Sequence, residues 1–347
     1  MNRSLFAFCC VLLMFVLGVL YSISSRTVIT LPDNMFPPIL RLKWHYEETE
    51  APSLQPRTTS LQEHPSVIFV ESTDTLTPQP LVICAVESSA RIYHNWSVTF
   101  FLRGLKNRTC LQNKRECPGL SLLADLPNVH ILPLDPKVVL EGTPFMTWFD
   151  EDKLRKETHW IRITSDAYRL AIMWNSGGLY FDTDVITIKQ VPIENIVVSE
   201  SNEYVSSGVF GFHKHHPFVM ECMKDFVQNY NGAIWGQQGP LLLTRVIKRA
   251  CALPQFSKLQ DFSCDAKNLT FMHPTRFYPI DCSQWEKYFQ VWEKIPDFSD
   301  SYGLHLWNYM NRNQIKKMIV PGSNTLVENL FIKYCPSTYD VLIKNGK

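Results

Sequence analysis

The chain has 347 residues, of which 45% are hydrophobic and 19% charged, so it is long and apolar enough to fold as one large domain or two small ones. Its 34 Lys and Arg residues nearly balance its 33 Asp and Glu residues, which leaves a formal net charge of +1. A balanced chain lacks the basic excess of nucleic-acid-binding proteins, and we expect no nucleic acid among its partners.

An unbroken apolar run, Leu5–Leu20, begins near the N-terminus and continues weakly to Ile23. Its length of about 16 to 19 residues is close to the minimum for a membrane-spanning helix. We predict a cytoplasmic tail over residues 1–4 and an uncleaved transmembrane signal-anchor over residues 5–24, because the run exceeds the usual apolar region of a signal peptide. A cleaved signal peptide is the alternative, since the small residues Ser22 and Ser24 could form a cleavage site.

Residues 25–65 contain six prolines among mixed polar residues and show little periodicity. This composition predicts a stem that holds a domain of residues 66–347 away from the membrane. The short apolar span favours the thin membranes of the early secretory route over the plasma membrane.

Two features predict that this domain lies in the lumen of the secretory pathway. Three sites have the N-glycosylation pattern, namely Asn95, Asn107 and Asn268. Of the ten cysteines, an even eight remain once Cys9 and Cys10 are assigned to the apolar segment, as expected for an oxidising compartment. Sequence leaves the connectivity open; the local pairs that we favour are Cys110 with Cys117 and Cys251 with Cys264.

Strand and helix patterns alternate from residue 66 onward. We predict strands over residues 66–72, 97–102 and 128–134, with a helix over residues 81–93 between the first two. Strands that alternate with helices indicate parallel βαβ units, so the expected fold class is α/β with a doubly wound, mostly parallel sheet.

The clearest helix pattern covers Thr158–Trp174, with Thr164 and Ser165 as candidate internal caps around Asp166. Gly177 and Gly178 follow it, and paired glycines tolerate the left-handed backbone that ends a helix. The chain then enters residues 179–186, "LYFDTDVI", which we predict to be a buried strand.

Two carboxylates, Asp182 and Asp184, stand inside this apolar run. Aspartate is depleted in strands and is rarely buried without a partner, so the pair needs a compensating cation. On a strand, Tyr180, Asp182 and Asp184 share one face, and two carboxylates in this arrangement can reach one divalent ion. Mn²⁺ or Mg²⁺ carrying a diphosphate fits this chemistry, although a bare Asp-x-Asp also occurs in solvated loops.

Asp166 and Arg169 lie three residues apart and therefore share one face of the preceding helix. Taken together, "SDAYRLAIMWNSGGLYFDTDV" (residues 165–185) resembles the signature of retaining glycosyltransferases of the GT-A fold, which is Rossmann-like and binds nucleotide-diphospho-sugars. The likeness narrows through "CAVESSARIY", "NGAIWGQQGPLLLTRV", "LHLWN" and "GSNTLVENL", which are similar to segments of the Golgi α1,4-glycosyltransferases. It extends from about residue 66 to the C-terminus.

The resemblance implies transfer of N-acetylglucosamine from UDP-N-acetylglucosamine, in α1,4 linkage and with retention, to a terminal β-galactose of O-glycans. Transfer of galactose from UDP-galactose to a lactosylceramide-type glycolipid is the alternative. The resemblance also implies that the chain is a single-pass type II protein of the Golgi membrane. The sequence does not settle the choice of donor sugar, because the pocket around the second carbon of the sugar decides it.

The resemblance also implies roles for individual residues. Asp182 and Asp184 would hold the metal, completed by His305 of "LHLWN", although a hydrogen-bonded core histidine beside Trp307 is an equal alternative. The residues expected to bind the donor are Glu71, Ser72, Asp166, Arg169, Tyr180, Asp182, Gln237 and Gln238. Among these, Gln238 is the candidate that faces the reacting carbon, and Asp182 and Asp184 are the other catalytic candidates.

Two further patterns are better explained by structure than by function. "HKHH" (residues 213–216) precedes a proline and is typical of an exposed turn rather than a metal site. The aromatic residues Trp285, Tyr288, Phe289 and Trp292 recur at helical spacing, which is more typical of core than of a sugar-stacking surface.

Two other protein classes compete with the transferase interpretation. Phosphatases with an aspartate nucleophile also end a buried strand in Asp-x-Asp, but they require Thr or Val where this chain has Ile186. A non-catalytic, membrane-tethered lectin could keep the same fold. The complete "FDTD" motif favours the enzyme.

Overall fold

The protein is described from a computed structural model, which covers residues 66–192, 194–312 and 317–345. The predicted tail, signal-anchor and stem lie outside these residues. Within the part of the chain that is described, no helix has both the length and the apolarity to cross a membrane.

Ten strands form the sheets. They are β1 (Ser66–Glu71), β2 (Ser97–Leu102), β3 (Val129–Pro133), β4 (Gly178–Phe181), β5 (Val185–Thr187), β6 (Ile196–Ser199), β7 (Val205–Phe212), β8 (Phe262–Cys264), β9 (Leu269–Met272) and β10 (Gly303–His305).

In the described residues, helices separate and follow the strands. The α-helices are α1 (Pro80–Ile92), α2 (Thr109–Gln112), α3 (Pro118–Ala124), α4 (Pro136–Val139), α5 (Phe145–Trp148), α6 (Glu151–Leu154), α7 (Trp160–Ser176), α8 (Pro217–Gln228), α9 (Pro240–Ile247), α10 (Leu326–Tyr334) and α11 (Pro336–Thr338). Short 3₁₀ segments cover Asp265–Lys267, Pro274–Arg276, Cys282–Phe289 and Met310–Arg312, and a π-helical segment covers Tyr339–Lys344.

The main sheet has eight strands in the order β3-β2-β1-β4-β7-β6-β9-β8, and β5 pairs with β10 in a separate antiparallel ribbon. Its first four strands are parallel to one another, as predicted for βαβ units. Beyond β4, the pairings of β7 with β4 and β6 are antiparallel, β6 and β9 are parallel, and β8 is antiparallel to β9. The sheet is therefore mostly parallel in its N-terminal half and mixed in its C-terminal half.

Alternate residues of the sheet face two separate cores. In β1, Val67 and Phe69 pack with α1, α3 and α10, whereas Ile68 and Val70 pack with α7, α8 and α9. Because both faces are covered, the central strands are continuous apolar runs, and a three-layer α/β arrangement results. The carboxyl ends of β1 and β4 are neighbours, since Ile68 pairs with Tyr180.

The helix before the Asp-x-Asp motif is close to its predicted bounds, but its predicted internal caps are wrong. Thr164 and Ser165 lie inside α7, and the hydroxyl of Thr164 donates to the carbonyl of Trp160 at 2.9 Å. The turn after the helix is confirmed: Gly177 and Gly178 have φ angles of 67° and 113°. A Cβ at Gly178 would lie 2.4 Å from the carbonyl oxygen of Ser66, so only glycine allows β4 to pair closely with β1 there.

Both predicted local disulfides are present, and a third joins distant parts of the chain. Cys110 is bonded to Cys117, Cys251 to Cys264, and Cys84 of α1 to Cys335, which follows α10. Cys222 and Cys282 have no disulfide partner among the described residues, so the eight cysteines expected to lie in the lumen do not all pair with one another.

Candidate active site

The predicted continuous strand over residues 179–186 is wrong in its middle. β4 ends at Phe181 and β5 begins at Val185, so Asp182 and Asp184 lie on a turn at the carboxyl end of a strand. Strand alternation could not reveal this break, because both aspartates still occur two residues apart between buried strands. In open α/β sheets, ligands bind outside the carboxyl ends of the strands, which is where this turn lies.

Asp182, Asp184 and His305 converge on one point. β10 brings His305 opposite Val185 of β5, and one ligand atom from each of the three residues lies within 4.8 Å of the others. Nε2 of His305 is 3.3 Å from Oδ1 of Asp184 and 3.9 Å from Oδ2 of Asp182. The sequence prediction that joins His305 to the two aspartates agrees with this geometry.

Each aspartate has one oxygen held by the protein and the other turned toward the shared point. Oδ1 of Asp182 accepts from the Tyr180 hydroxyl at 2.7 Å and lies 2.9 Å from Nη1 of Arg169. Oδ2 of Asp184 accepts from the backbone N–H of Asn308 at 2.8 Å. Oδ2 of Asp182 and Oδ1 of Asp184 are thereby positioned to bind one ion.

Glycine at position 208 leaves room for this arrangement. A Cβ at Gly208 would lie 2.7 Å from Oδ2 of Asp182, which is too close without a shift of the carboxylate. Two carboxylates and an imidazole that converge in this way fit a divalent cation such as Mn²⁺ or Mg²⁺, which prefer oxygen ligands and tolerate one imidazole.

Burial and neighbouring charges shift the pKa values in opposite directions. Burial acts to raise the pKa of Asp182, but the Arg169 guanidinium and then His305 and Tyr180 outweigh it and lower the pKa to about 2. Burial and the charge of Asp182 raise the pKa of Asp184, despite the opposing effect of His305. Burial acts to lower the pKa of His305, yet the two aspartates raise it. The site carries more negative than positive charge, and a bound cation removes that excess.

Asp166 and Arg169 lie beside the aspartate turn, and both are buried rather than on a helix surface. Asp166 is 8% exposed and Arg169 is 7% exposed, and Oδ1 of Asp166 lies 3.5 Å from Nε of Arg169. A Cβ at Gly239 would lie 2.8 Å from Oδ2 of Asp166, so the loop before α9 closes over this carboxylate through a glycine. Burial, partly offset by Arg169, raises the pKa of Asp166 to about 6.

A cavity of about 590 Å³ opens in front of these groups. Its wall includes all three candidate metal ligands and six of the other residues predicted to bind the donor: Glu71, Ser72, Asp166, Arg169, Tyr180 and Gln238. The volume lies in the range of small-molecule sites.

Gln237 and Gln238 have different surroundings. Gln237 does not line the cavity in this arrangement, and its backbone carbonyl accepts from Arg245 at 2.7 Å, so its contact with the donor stays a prediction. Gln238 lines the cavity, but its amide donates to the carbonyl of Phe226 at 2.8 Å and accepts from the backbone N–H of Asn231 at 3.3 Å. Its role next to the reacting carbon stays a prediction.

Sequence reasoning missed several residues that line the cavity. Asn308 orients Asp184 through its backbone, so its side-chain type gave no signal. Arg162 lies one turn before Asp166 on α7 and would have been found by extending the same helix face. Trp235 and Tyr309 stand inside or beside quoted segments but show no spacing that marks them as functional.

The remaining predictions concern the surface and the core. Asn95, Asn107 and Asn268 are exposed, as glycan attachment requires. His213, Lys214 and His215 are exposed, whereas His216 is buried and caps α8 by accepting from the N–H of Phe218 at 3.2 Å. The four aromatic residues discounted as a sugar platform are packed against the core, with Tyr288 fully buried and Trp285, Phe289 and Trp292 partly buried.

The sheet topology and the aspartate turn at its carboxyl edge agree with the glycosyltransferase class that the sequence resemblance implies. Residues 211–342 match the family described as "Alpha 1,4-glycosyltransferase conserved region", and residues 61–203 match "Glycosyltransferase sugar-binding region containing DXD motif". The alpha-1,4-N-acetylglucosaminyltransferase of Homo sapiens is 46% identical over 284 residues, which are 82% of each chain. The chain therefore belongs to the α1,4-glycosyltransferase family.

A second relative and one solved structure are also similar to this chain. The lactosylceramide 4-alpha-galactosyltransferase of Mus musculus is 36% identical over 278 residues, which cover 79% of this chain and 75% of the relative. Among solved structures, the PaToxG glycosyltransferase matches 54% of this chain and 70% of its own, with 15% identity and a TM-score of 0.42.

Proposed function

We propose that this protein transfers N-acetylglucosamine from UDP-N-acetylglucosamine, in α1,4 linkage and with retention, to the terminal β-galactose of an O-glycan. The observation that carries the proposal is the convergence of Asp182, Asp184 and His305 in the wall of the cavity, within 4.8 Å of one another. The choice of sugar is supported by the 46% identity to a relative named for that transfer.

A divalent cation, Mn²⁺ or Mg²⁺, held by these three residues would neutralise the charge that develops on a nucleotide diphosphate leaving group. The protein's own part is to orient the ligands. Tyr180 and Arg169 fix one oxygen of Asp182, and the backbone of Asn308 fixes one oxygen of Asp184. Ligands held in this way lose little conformational freedom when the ion binds.

Arg169 and Asp166 are placed to bind the donor beside the metal ligands. Arg169 lies over the ring of Tyr180 with its Cζ 4.6 Å from the centroid, and it donates to the Ser207 carbonyl at 2.7 Å, so its position is fixed. Asp166 is largely ionised near neutral pH, because its pKa of about 6 lies lower. Its carboxylate can then accept hydrogen bonds from sugar hydroxyls.

Transfer of galactose from UDP-galactose to a lactosylceramide-type glycolipid is the second candidate. The 36% identity to lactosylceramide 4-alpha-galactosyltransferases favours it over other reactions of the class. The two donors differ at the second carbon of the sugar and in the orientation of the fourth hydroxyl, and an acetamido group needs more room than a hydroxyl.

The proposal includes the cellular location: a type II protein of the Golgi membrane, with the catalytic domain in the lumen. Three disulfides and three exposed glycosylation sites support an oxidising, glycosylating compartment. Imaging of the full chain with markers of the Golgi and of the plasma membrane tests the location. Sensitivity of its mass to N-glycosidase tests lumenal exposure.

An assay of both donors against galactose-terminated acceptors tests the function. Purified protein with Mn²⁺ is given UDP-N-acetylglucosamine or UDP-galactose, with a β-galactosyl O-glycan or lactosylceramide as the acceptor, and the product linkage is read by NMR. We expect an α1,4-linked N-acetylglucosamine product on the O-glycan. Product only with UDP-galactose and lactosylceramide would support the second candidate, and UDP binding without any transfer would indicate the lectin.

A further inference from the structure

A tryptophan stands half exposed at the rim of the cavity. Trp235 is 52% exposed and lines the cavity together with Ile234, Tyr309 and Met310. Large aromatic side chains are normally buried, so an exposed one beside a substrate cavity indicates a contact surface. It is neither a candidate metal ligand nor one of the residues predicted to bind the donor.

The neighbouring ring of Tyr309 is held between two arginines. The guanidinium carbons of Arg162 and Arg312 lie 3.5 and 3.4 Å from the centroid of this ring. Two groups at this distance must occupy opposite faces, so both faces of Tyr309 are covered. The Trp235 ring lies 6.3 Å away at 31°, and at 52% exposure it has more accessible surface for a ligand than the half-buried Tyr309.

Arg162 has unused hydrogen-bonding capacity at the same rim. Its side chain makes no ion pair or hydrogen bond with any residue that the structure describes, although it is partly buried in the cavity wall. A guanidinium carries five N–H donors, so a polar ligand in the cavity can use them.

Tyr309 and Trp235 each lie a few residues along the chain from a residue that contacts the donor and metal site. Tyr309 directly follows Asn308, whose N–H donates to Asp184 at 2.8 Å. Trp235 lies four residues before Gly239, which closes over Asp166. A group stacked on Trp235 would lie in the same cavity as the metal ligands and the residues predicted to bind the donor.

We propose that Trp235 is the stacking surface for the terminal sugar of the acceptor, with Arg162 donating hydrogen bonds to the hydroxyls of that sugar. A pyranose has an apolar face of C–H groups and a polar rim of hydroxyls, so an aromatic face next to a fork of N–H donors matches its chemistry. The inference rests on the proposed transferase function. Trp285 and Trp292, which the sequence pattern already assigned to the core, pack against it.

Kinetics of the Trp235→Ala and Trp235→Phe variants test this proposal, with lactose as a galactose-terminated acceptor probe. Tyr204→Ala is the matched control, because Tyr204 is 43% exposed and lies outside the cavity wall. Three quantities are measured for each variant: the KM for lactose, the acceptor-independent hydrolysis of the UDP-sugar, and the Kd for UDP with Mn²⁺ by calorimetry.

We expect Trp235→Ala to raise the KM for lactose about tenfold and Trp235→Phe to raise it less, while donor hydrolysis and the UDP Kd stay within about twofold. Tyr204→Ala should leave all three unchanged. An unchanged KM for lactose in Trp235→Ala would overturn the proposal, and so would a parallel weakening of UDP binding, which would make Trp235 a donor contact. A wild-type protein that binds no UDP would instead refute the transferase function itself.

Discussion

Oδ1 of Asp182 forms a partly buried ion pair with Nη1 of Arg169 at 2.9 Å, whereas Asp184 has no arginine or lysine partner among the described residues. The two aspartates of one short motif are thus compensated differently. Arg169 balances the first within the fold. The second has the imidazole of His305 at 3.3 Å, and we expect a bound divalent cation to balance the rest of its charge.

Arg169→Ala should lower the stability of the fold and also reduce the activity. The substitution leaves the carboxylate of Asp182, which is partly buried with its side chain 30% exposed, without its main partner, and this should cost about 2 kcal/mol in the free energy of unfolding. The stability of Arg169→Lys should lie between that of the wild type and that of Arg169→Ala. Lysine keeps the charge but loses the planar fork that reaches Ser207 and Ser165. Urea unfolding in EDTA measures the effect.

The control for this experiment is Lys114→Ala. Lys114 pairs with Asp125 at 2.9 Å, but both side chains are well exposed, so its removal should change stability by less than about 1 kcal/mol. Equal unfolding midpoints for Arg169→Ala and Lys114→Ala would contradict the structural role of the pair between Arg169 and Asp182.

Asp184→Asn should abolish transfer while leaving the fold intact. Asparagine has the same shape and can still accept the N–H of Asn308, but it lacks the negative charge that binds a divalent ion. Calorimetry with UDP and Mn²⁺ should show the loss of metal-dependent binding, and circular dichroism should match the wild type. Asp152→Asn, an exposed aspartate near the start of α6, is the matched control. Sustained turnover by Asp184→Asn would refute the metal role of this carboxylate.

Removal of the metal should have the same effect as Asp184→Asn. In EDTA we expect no transfer, and added Mn²⁺ should restore it, because the carboxylate pair alone repels the diphosphate of the donor. Initial rates in a titration of Mn²⁺ into chelated protein measure this. Full activity in excess chelator would count against a metal-dependent mechanism.

Local signals in the sequence predicted the N-terminal half of the fold. The βαβ pattern of β1, α1 and β2, the bounds of α7 and the turn at Gly177 and Gly178 each depend on residues close in the chain. By contrast, the antiparallel insertion of β7 between β4 and β6 depends on long-range pairing, which local propensity does not determine. The disulfide between Cys84 and Cys335 was missed for the same reason.

The candidate site was predictable where the family resemblance supplied the distant residue. Asp182 and Asp184 are conspicuous because aspartate is unusual between buried strands, but nothing local connects them to His305, which is more than a hundred residues away in the chain. The hydrogen bonds of the Gln238 amide could not be predicted from the motif. Its hydrogen bonds to Phe226 and Asn231 arise from the shape of one loop, and a motif does not reveal that shape.

Asp166 should make stability depend on pH. Burial raises its pKa in the folded protein to about 6, from an ordinary value of 3.8. Between these two values the folded protein retains a proton that the unfolded chain loses, so this group's contribution to stability is present at low pH and is lost as the pH rises through about 6. Asp166→Asn removes the titration. Relative to the wild type, the variant should therefore gain stability between pH 4 and pH 7 in EDTA; a constant difference in the free energy of unfolding would contradict the assignment.

The disulfide between Cys84 and Cys335 should stabilise the domain more than that between Cys110 and Cys117. Its partners are 251 residues apart, against 7 for the other pair. A cross-link that closes a longer loop restricts the unfolded chain more, and the chain-entropy estimate gives about 5 kcal/mol for the first and about 2 kcal/mol for the second. The closure also holds Glu87 of α1 against α11, where its carboxylate accepts from the backbone N–H of Thr338 at 2.7 Å. Guanidinium unfolding of the two double Cys→Ser variants measures the difference, and a smaller loss for the Cys84 and Cys335 pair would show that the unfolded chain is already compact.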